Sequence, residues 1–107
     1  MDYEISVADV KSIRDAGQDF IMLDVREPWE FDVASIAGSK HIPMGDIPSR
    51  FNQELDPEDH IVVVCHHGVR SANVTLWMMQ NGWKNVSSLA GGIDAYAAQV
   101  DPGVGTY

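Results

Sequence analysis

The feature that most constrains this chain is the run Ile61-Val62-Val63-Val64, which ends at Cys65, the only cysteine among 107 residues. Four β-branched apolar residues in succession predict a strand buried on both faces, the kind found in parallel sheets covered by helices. A short loop with one glycine follows, and a helical segment is predicted from Ser71 to Gln80. Strand, loop and helix in that order place Cys65 at the carboxyl end of a strand, where open α/β sheets bind their ligands. The helix start behind the loop supplies unpaired N–H groups and a positive dipole end, and both favour a thiolate over a thiol. A free cysteine is more often a small buried hydrophobe. Cys65 departs from that pattern because it follows the apolar run and shares its loop with His66, His67, Gly68 and Arg70.

The rest of the chain alternates strands with helices. Tyr3-Glu4-Ile5 reads as a short edge strand and Ser6 as the N-cap of a helix carrying Val7, Val10, Ile13 and Ala16, stopped by Gly17. Phe20 to Leu23 is a second buried strand, and Pro28 opens a short helix with Trp29, Glu30 and Phe31. A loop over 35–39, a brief strand at His41-Ile42-Pro43 and a helix starting near Pro48 with Phe51 and Leu55 lead to the turn Asp56-Pro57-Glu58-Asp59. Beyond the cysteine loop, Ala72, Leu76 and Met79, widened by Val74, Trp77 and Met78, predict the sheet-facing stripe of a helix that stops at Asn81-Gly82. Val86 to Leu89 is the next strand, Gly91-Gly92 a tight turn, and Ile93 to Gln99 the last helix. The tail over 100–107, with Pro102, Gly103 and Gly105, is expected to be irregular. Trp29, Phe31, Trp77 and Trp83 are assigned to the core. This alternation predicts one α/β domain over 1–107 with a mainly parallel sheet.

Cys65-x-x-Gly68-x-Arg70-Ser71 after an apolar strand resembles the active-site loop of the rhodanese family of sulfurtransferases. Three further stretches agree in order and rough spacing: Leu23-Asp24-Val25-Arg26-Glu27, His41-Ile42-Pro43, and Asn85-Val86 leading to Leu89-Ala90-Gly91-Gly92-Ile93. The resemblance covers nearly the whole chain and implies a small parallel sheet flanked by helices on both faces. Ser35 stands where the family commonly has a histidine. The ending Gly91-Gly92-Ile93-Asp94-Ala95-Tyr96, then Val100-Asp101-Pro102, resembles rhodanese domains fused to adenylyltransferases that charge small sulfur-carrier proteins.

What the resemblance implies is a thiolate on Cys65 that attacks the outer sulfur of a donor such as thiosulfate or a protein persulfide, forms a persulfide, and yields it to a thiol or cyanide. The whole loop, His66, His67, Gly68, Val69, Arg70 and Ser71, would line the substrate. Backbone N–H groups at a helix start can hold the charged sulfur without a metal or cofactor. Gly68 lets the loop close tightly. Arg70 either binds sulfite-like oxygens or braces backbone carbonyls, since the guanidinium fork serves both. Ser71 caps the helix and could also aim its hydroxyl at the sulfur. His66 and His67, adjacent in sequence, are poorly spaced for a structural metal site and either line the mouth or are solvated. In the family, the residues matching Asp24 and Arg26 shape the floor beside the loop. An internal ion pair is the preferred reading, because a carboxylate beside the cysteine would oppose the thiolate.

Two other functions compete. Cysteine-dependent phosphatases, with cell-cycle phosphatases and arsenate reductases among them, build a similar cup with five residues between cysteine and arginine, against four here. The other competitor is a persulfide carrier or binding module that serves a sulfur-carrier protein. The net charge of −9 argues against nucleic-acid or anionic-membrane partners, and means that an anionic small donor needs a local positive site. No leader or membrane-spanning run is visible, and one cysteine makes no internal disulfide, so a reducing compartment, the cytoplasm, is expected.

Overall fold

The computed structural model describes residues 3–107. Five strands, β1 (Glu4–Ile5), β2 (Ile21–Asp24), β3 (Lys40–His41), β4 (Ile61–Val64) and β5 (Val86–Leu89), form one sheet in the order β1-β5-β4-β2-β3, and every pairing is parallel. The valine-rich strand is therefore central, and all four of its residues are buried, as a strand covered on both faces requires. Helices α1 (Val7–Asp15), α2 (Pro28–Val33), α3 (Ile47–Glu54), α4 (Val69–Gln80) and α5 (Gly92–Gln99) supply the covers.

Successive strand residues point to opposite faces, which divides the core in two. Leu23, Val25, Ile61, Val63, Cys65 and Val86 pack with Phe51 of α3 and with Val74 and Met78 of α4. Met22, Val62, Val64 and Leu89 pack with Val7 and Val10 of α1 and with Ile93, Tyr96 and Ala97 of α5. Cys65 thus continues the alternation of β4, and its side chain falls on the face covered by α4. No helix among the described residues is long and apolar enough to cross a membrane.

The topology decides where a ligand can sit. From β4 the chain moves through α4 to β5 on one side, whereas from β2 it moves through α2 to β3 on the other. The connections that follow these two paired strands therefore run in opposite directions, and a crevice opens between them at the carboxyl end of the sheet. Cys65 stands at the end of β4, and Arg26 follows the end of β2.

Several local expectations need correction. Helix α4 begins at Val69, two residues before Ser71, and its buried stripe is Ser71, Val74, Thr75 and Met78, while Leu76 is exposed. Two buried hydroxyls on that stripe carry no apolar signal, so periodicity placed the stripe one position too far along. The third strand is Lys40–His41, and Ile42 and Pro43 follow it. Helix α5 starts at Gly92. Of the four rings assigned to the core, Trp83 is buried and Phe31 and Trp77 are half-buried, but Trp29, in the first turn of α2, is exposed. The tail is not wholly irregular: Pro102–Val104 make a 3-10 turn and Val104 is buried. Ser6, by contrast, caps α1 as expected, accepting the Asp9 N–H at 3.1 Å.

Candidate active site

Cys65 is only 1% exposed, so whatever reacts with it must present a slender end. Its sulfur accepts the Gly68 N–H at 3.1 Å and the Ser71 N–H at 3.3 Å, both from the unpaired first turn of α4. Gly68 is the N-cap residue of α4, at φ +113°, a conformation that a β-carbon disfavours. This corrects the assignment of Ser71 as the cap. Ser71 lies inside the first turn, with its hydroxyl 3.4 Å from the sulfur. That hydroxyl also donates to the Gly68 carbonyl at 3.1 Å and lies 2.8 Å from the Ser88 hydroxyl on β5, which is fully buried. Two backbone N–H groups from one turn therefore converge on the sulfur, an arrangement suited to a negatively charged atom, while the Ser71 oxygen accepts the hydrogen of the neutral thiol.

The far side of the loop is held by α5. The N–H groups of Ile93 and Asp94 donate to the carbonyls of Cys65 and His66 at 2.8 and 3.2 Å. One helix N-terminus addresses the sulfur, and a second fixes the backbone that carries it.

Arg70 braces the crevice through a side chain and not through backbone carbonyls. Its two terminal nitrogens grip both oxygens of Glu30 on α2, at 2.6 and 2.9 Å. Glu30 also accepts the Glu27 N–H at 3.0 Å and the Tyr107 hydroxyl, so the carboxylate is fully engaged. The bidentate guanidinium, assisted by these other donors, outweighs burial and holds the Glu30 carboxyl at about 2. Arg70 in turn is pushed above its usual value by the same partner.

Asp24 and Arg26 form the internal pair that was expected, and neither side chain is exposed. Arg26 Nε donates to both Asp24 oxygens at 2.9 and 3.0 Å, and a terminal nitrogen donates to Oδ2 at 2.7 Å. Two further guanidinium hydrogens reach the carbonyls of Glu30 and Ala34, which ties α2 to the end of β2. Nothing in this pair touches the sulfur, so its part is to fix the floor of the crevice.

His66 and His67 stack on each other, with ring centroids 4.0 Å apart, and Tyr107 stacks on the other face of His66 at 4.1 Å. Burial and the neighbouring His67 lower the His66 pKa, which favours the uncharged ring at neutral pH. His67 is exposed and lies 3.9 Å from the Asp94 carboxylate. Among the described residues, no three His, Cys, Asp or Glu side chains gather in a way that could hold a metal ion. Val69 is 72% exposed at the rim.

Three residues at this site escaped the sequence. Glu30 carries no signal beyond its place in the short helix after Pro28, though its spacing from Glu27 fits a capping pair. Ser88 sits in a strand with no motif of its own. Tyr107 lies in a stretch that glycines and proline marked as loop, and nothing in that pattern points back to the crevice.

Known proteins resemble this chain throughout. A family model described as rhodanese-like domain matches residues 6–99. The putative sulfurtransferase YtwF of Bacillus subtilis is 35% identical over 99 residues, which cover 92% of this chain and 94% of that protein. The rhodanese-like/PpiC domain-containing protein 12 of Arabidopsis thaliana chloroplasts is 39% identical over 89 residues, or 80% of this chain and 30% of that protein. The adenylyltransferase and sulfurtransferase UBA4 of Meyerozyma guilliermondii is 33% identical over 113 residues, or 99% of this chain and 26% of that protein. The chain thus spans less than a third of these two longer relatives. Among solved structures, a rhodanese-related protein from Thermoplasma volcanium superposes with a TM-score of 0.77 at 28% identity, covering 91% of this chain and 92% of that one.

Proposed function

The chain belongs to the rhodanese-like domain family, and on that premise we propose that it is a sulfurtransferase working through a persulfide on Cys65. The observation that carries this reading is the reception given to the sulfur, which accepts two backbone N–H groups within 3.3 Å. A group so placed stabilises a thiolate before transfer and a terminal persulfide anion after it.

The Cys65 thiolate attacks the outer sulfur of the donor, and the donor's S–S bond breaks with its electron pair leaving on the rest of the donor. Thiosulfate would leave as sulfite and a persulfide as a thiolate. The acceptor then repeats the attack on the new outer sulfur. Cyanide leaves with it as thiocyanate, or a thiol takes it as a persulfide, and the Cys65 thiolate is restored. No electron is gained or lost overall, so no redox cofactor enters. Gly68, Ser71 and the α4 start hold the charge at each stage, while Arg70 and Arg26 act on the walls through Glu30 and Asp24.

A persulfide carrier feeding a small sulfur-carrier protein is the second reading. It is favoured by the likeness to UBA4, which is named for adenylyltransferase and sulfurtransferase activities. A reducing compartment such as the cytoplasm suits the free thiol in either case. The test is turnover: the protein should pass sulfur from a sulfane donor to cyanide as thiocyanate. Cys65→Ser should do so no faster than solution, and equal rates for the two proteins would end the proposal.

A further inference from the structure

The charges around Cys65 restrict what can approach it. Of the seven lysines and arginines in the chain, five are in ion pairs among the described residues: Lys11, Arg26, Lys40, Arg50 and Arg70. The other two, Arg14 and Lys84, lie near the N-terminal edge of the sheet, Arg14 ending α1 ahead of β2 and Lys84 just ahead of β5. At the mouth itself, the Arg70 fork is filled by Glu30, Arg26 is buried against Asp24, and the lowered His66 pKa favours the uncharged ring at neutral pH. Glu30 and Asp94 leave the immediate surroundings no positive excess, within a chain of net charge −9. Two N–H groups can receive one charged sulfur, but the sulfonate end of a dianion would lie at this mouth without a cation.

What the mouth does offer is ring surface. Trp29, 60% exposed, meets Tyr107 edge-on at 5.7 Å. Tyr107 stacks on His66 and His66 on His67, so four rings run without a break along the loop that carries Cys65. Exposed Val69 lies on the same loop. Such a strip favours contact with an uncharged carbon skeleton.

We propose that the sulfur donor of this site is an organic persulfide, R–S–SH, whose uncharged carbon portion rests on the Trp29–Tyr107–His66 strip, and not an inorganic dianion such as thiosulfate. The proposal rests on the sulfur-transfer reading above and names its substrate class. The step is Cys65–S⁻ + R–S–SH → Cys65–S–SH + R–S⁻. The S–S bond of the donor breaks, a new one forms at Cys65, and the leaving thiolate takes the electron pair; the proton carried over on the moving sulfur then passes to that thiolate or to water, which leaves the persulfide anion.

The experiment compares loading of Cys65, followed by intact mass, from equal concentrations of thiosulfate and of the persulfide of N-acetylcysteine methyl ester, whose carbon portion carries no charge. At neutral pH and low salt the organic persulfide should load about tenfold faster or more, since the field at the mouth opposes a dianion. Because the two donors differ in intrinsic reactivity, the variants decide. Glu30→Gln frees the Arg70 fork, so it should raise thiosulfate loading by about tenfold relative to the organic donor. Trp29→Ala removes an exposed ring, so it should slow the organic persulfide by about fivefold and leave thiosulfate unchanged. Glu30→Gln leaving thiosulfate loading unchanged relative to the organic donor, or Trp29→Ala slowing both donors alike, would overturn the proposal while sulfur transfer itself stood. Failure of both donors to load Cys65 would overturn the sulfur-transfer reading, and this inference with it.

Discussion

Gly92, at the start of α5, approaches Cys65 so closely that a β-carbon there would stand 2.4 Å from the Cys65 carbonyl oxygen, and equally close to that of His66. The residue also sits at φ +63°, where side chains are strained. The glycine is what lets the α5 N-terminus reach the loop and hold its carbonyls. Gly92→Ala should therefore destabilise the protein by about 2–4 kcal/mol, from strain and overpacking combined. It should also displace the loop and lower sulfur transfer by at least about tenfold. Urea unfolding and a turnover assay measure the two effects. Gly45→Ala is the control: nothing lies within 4 Å of its β-carbon position, and it should change stability by less than about 0.5 kcal/mol.

Ser71 and Ser88 form the second test. Ser71→Ala removes the hydroxyl beside the sulfur and strands the buried Ser88 hydroxyl, a loss of about 1–3 kcal/mol. Ser88→Ala alone should cost less, and the double variant should cost less than the sum of the two, because no orphaned hydroxyl remains. Simple addition of the two losses in chemical denaturation would mean that the hydroxyls are not coupled.

Acid stability follows from Glu30. Its carboxyl is held near 2 in the folded protein against an ordinary value of 4.5, so the stabilisation is fully present above pH 4.5 and is lost as pH falls toward 2. The displacement corresponds to roughly 3 kcal/mol. Unfolding free energies measured down that range should fall more steeply for the parent protein than for Glu30→Gln, which has no carboxyl to protonate. Parallel slopes for the two proteins would contradict the assignment of this pair.

Asp24 supports a fourth prediction. Asp24→Asn leaves the guanidinium of Arg26 buried without its counter-charge, a situation that costs about 3–5 kcal/mol. The thermal midpoint should drop by roughly 15 °C, as expected for a domain of this size. Replacing both members with apolar residues should recover much of the loss.

These relationships show where the sequence informs and where it stops. The valine run, the cysteine behind it and the glycine of the loop are local signals, and they suffice to place a cysteine at the carboxyl end of a buried strand, beside a helix start. Asp24 and Arg26 are two residues apart, so their pairing was also within reach. Arg70 and Glu30 are 40 positions apart, and Tyr107 lies 77 beyond Glu30. Nothing local marks those contacts, because the topology that brings α2, α4 and the tail to one crevice is a property of the whole sheet. The exposure of Trp29 was missed for a similar reason: a ring in a short helix reads as core until its neighbours are known. The buried stripe of α4 was misplaced because two of its members, Ser71 and Thr75, are hydroxyl residues that apolar periodicity does not count.

The most direct test of the account is the mass of the protein after a single exposure to a sulfane donor. The purified chain and its Cys65→Ser variant are treated with the persulfide of N-acetylcysteine methyl ester and with thiosulfate, freed of donor, and weighed intact. The account predicts that the parent gains one sulfur atom, that the variant gains none, and that cyanide removes the added sulfur as thiocyanate. A parent protein left unchanged by both donors, or an equal gain by Cys65→Ser, would contradict it.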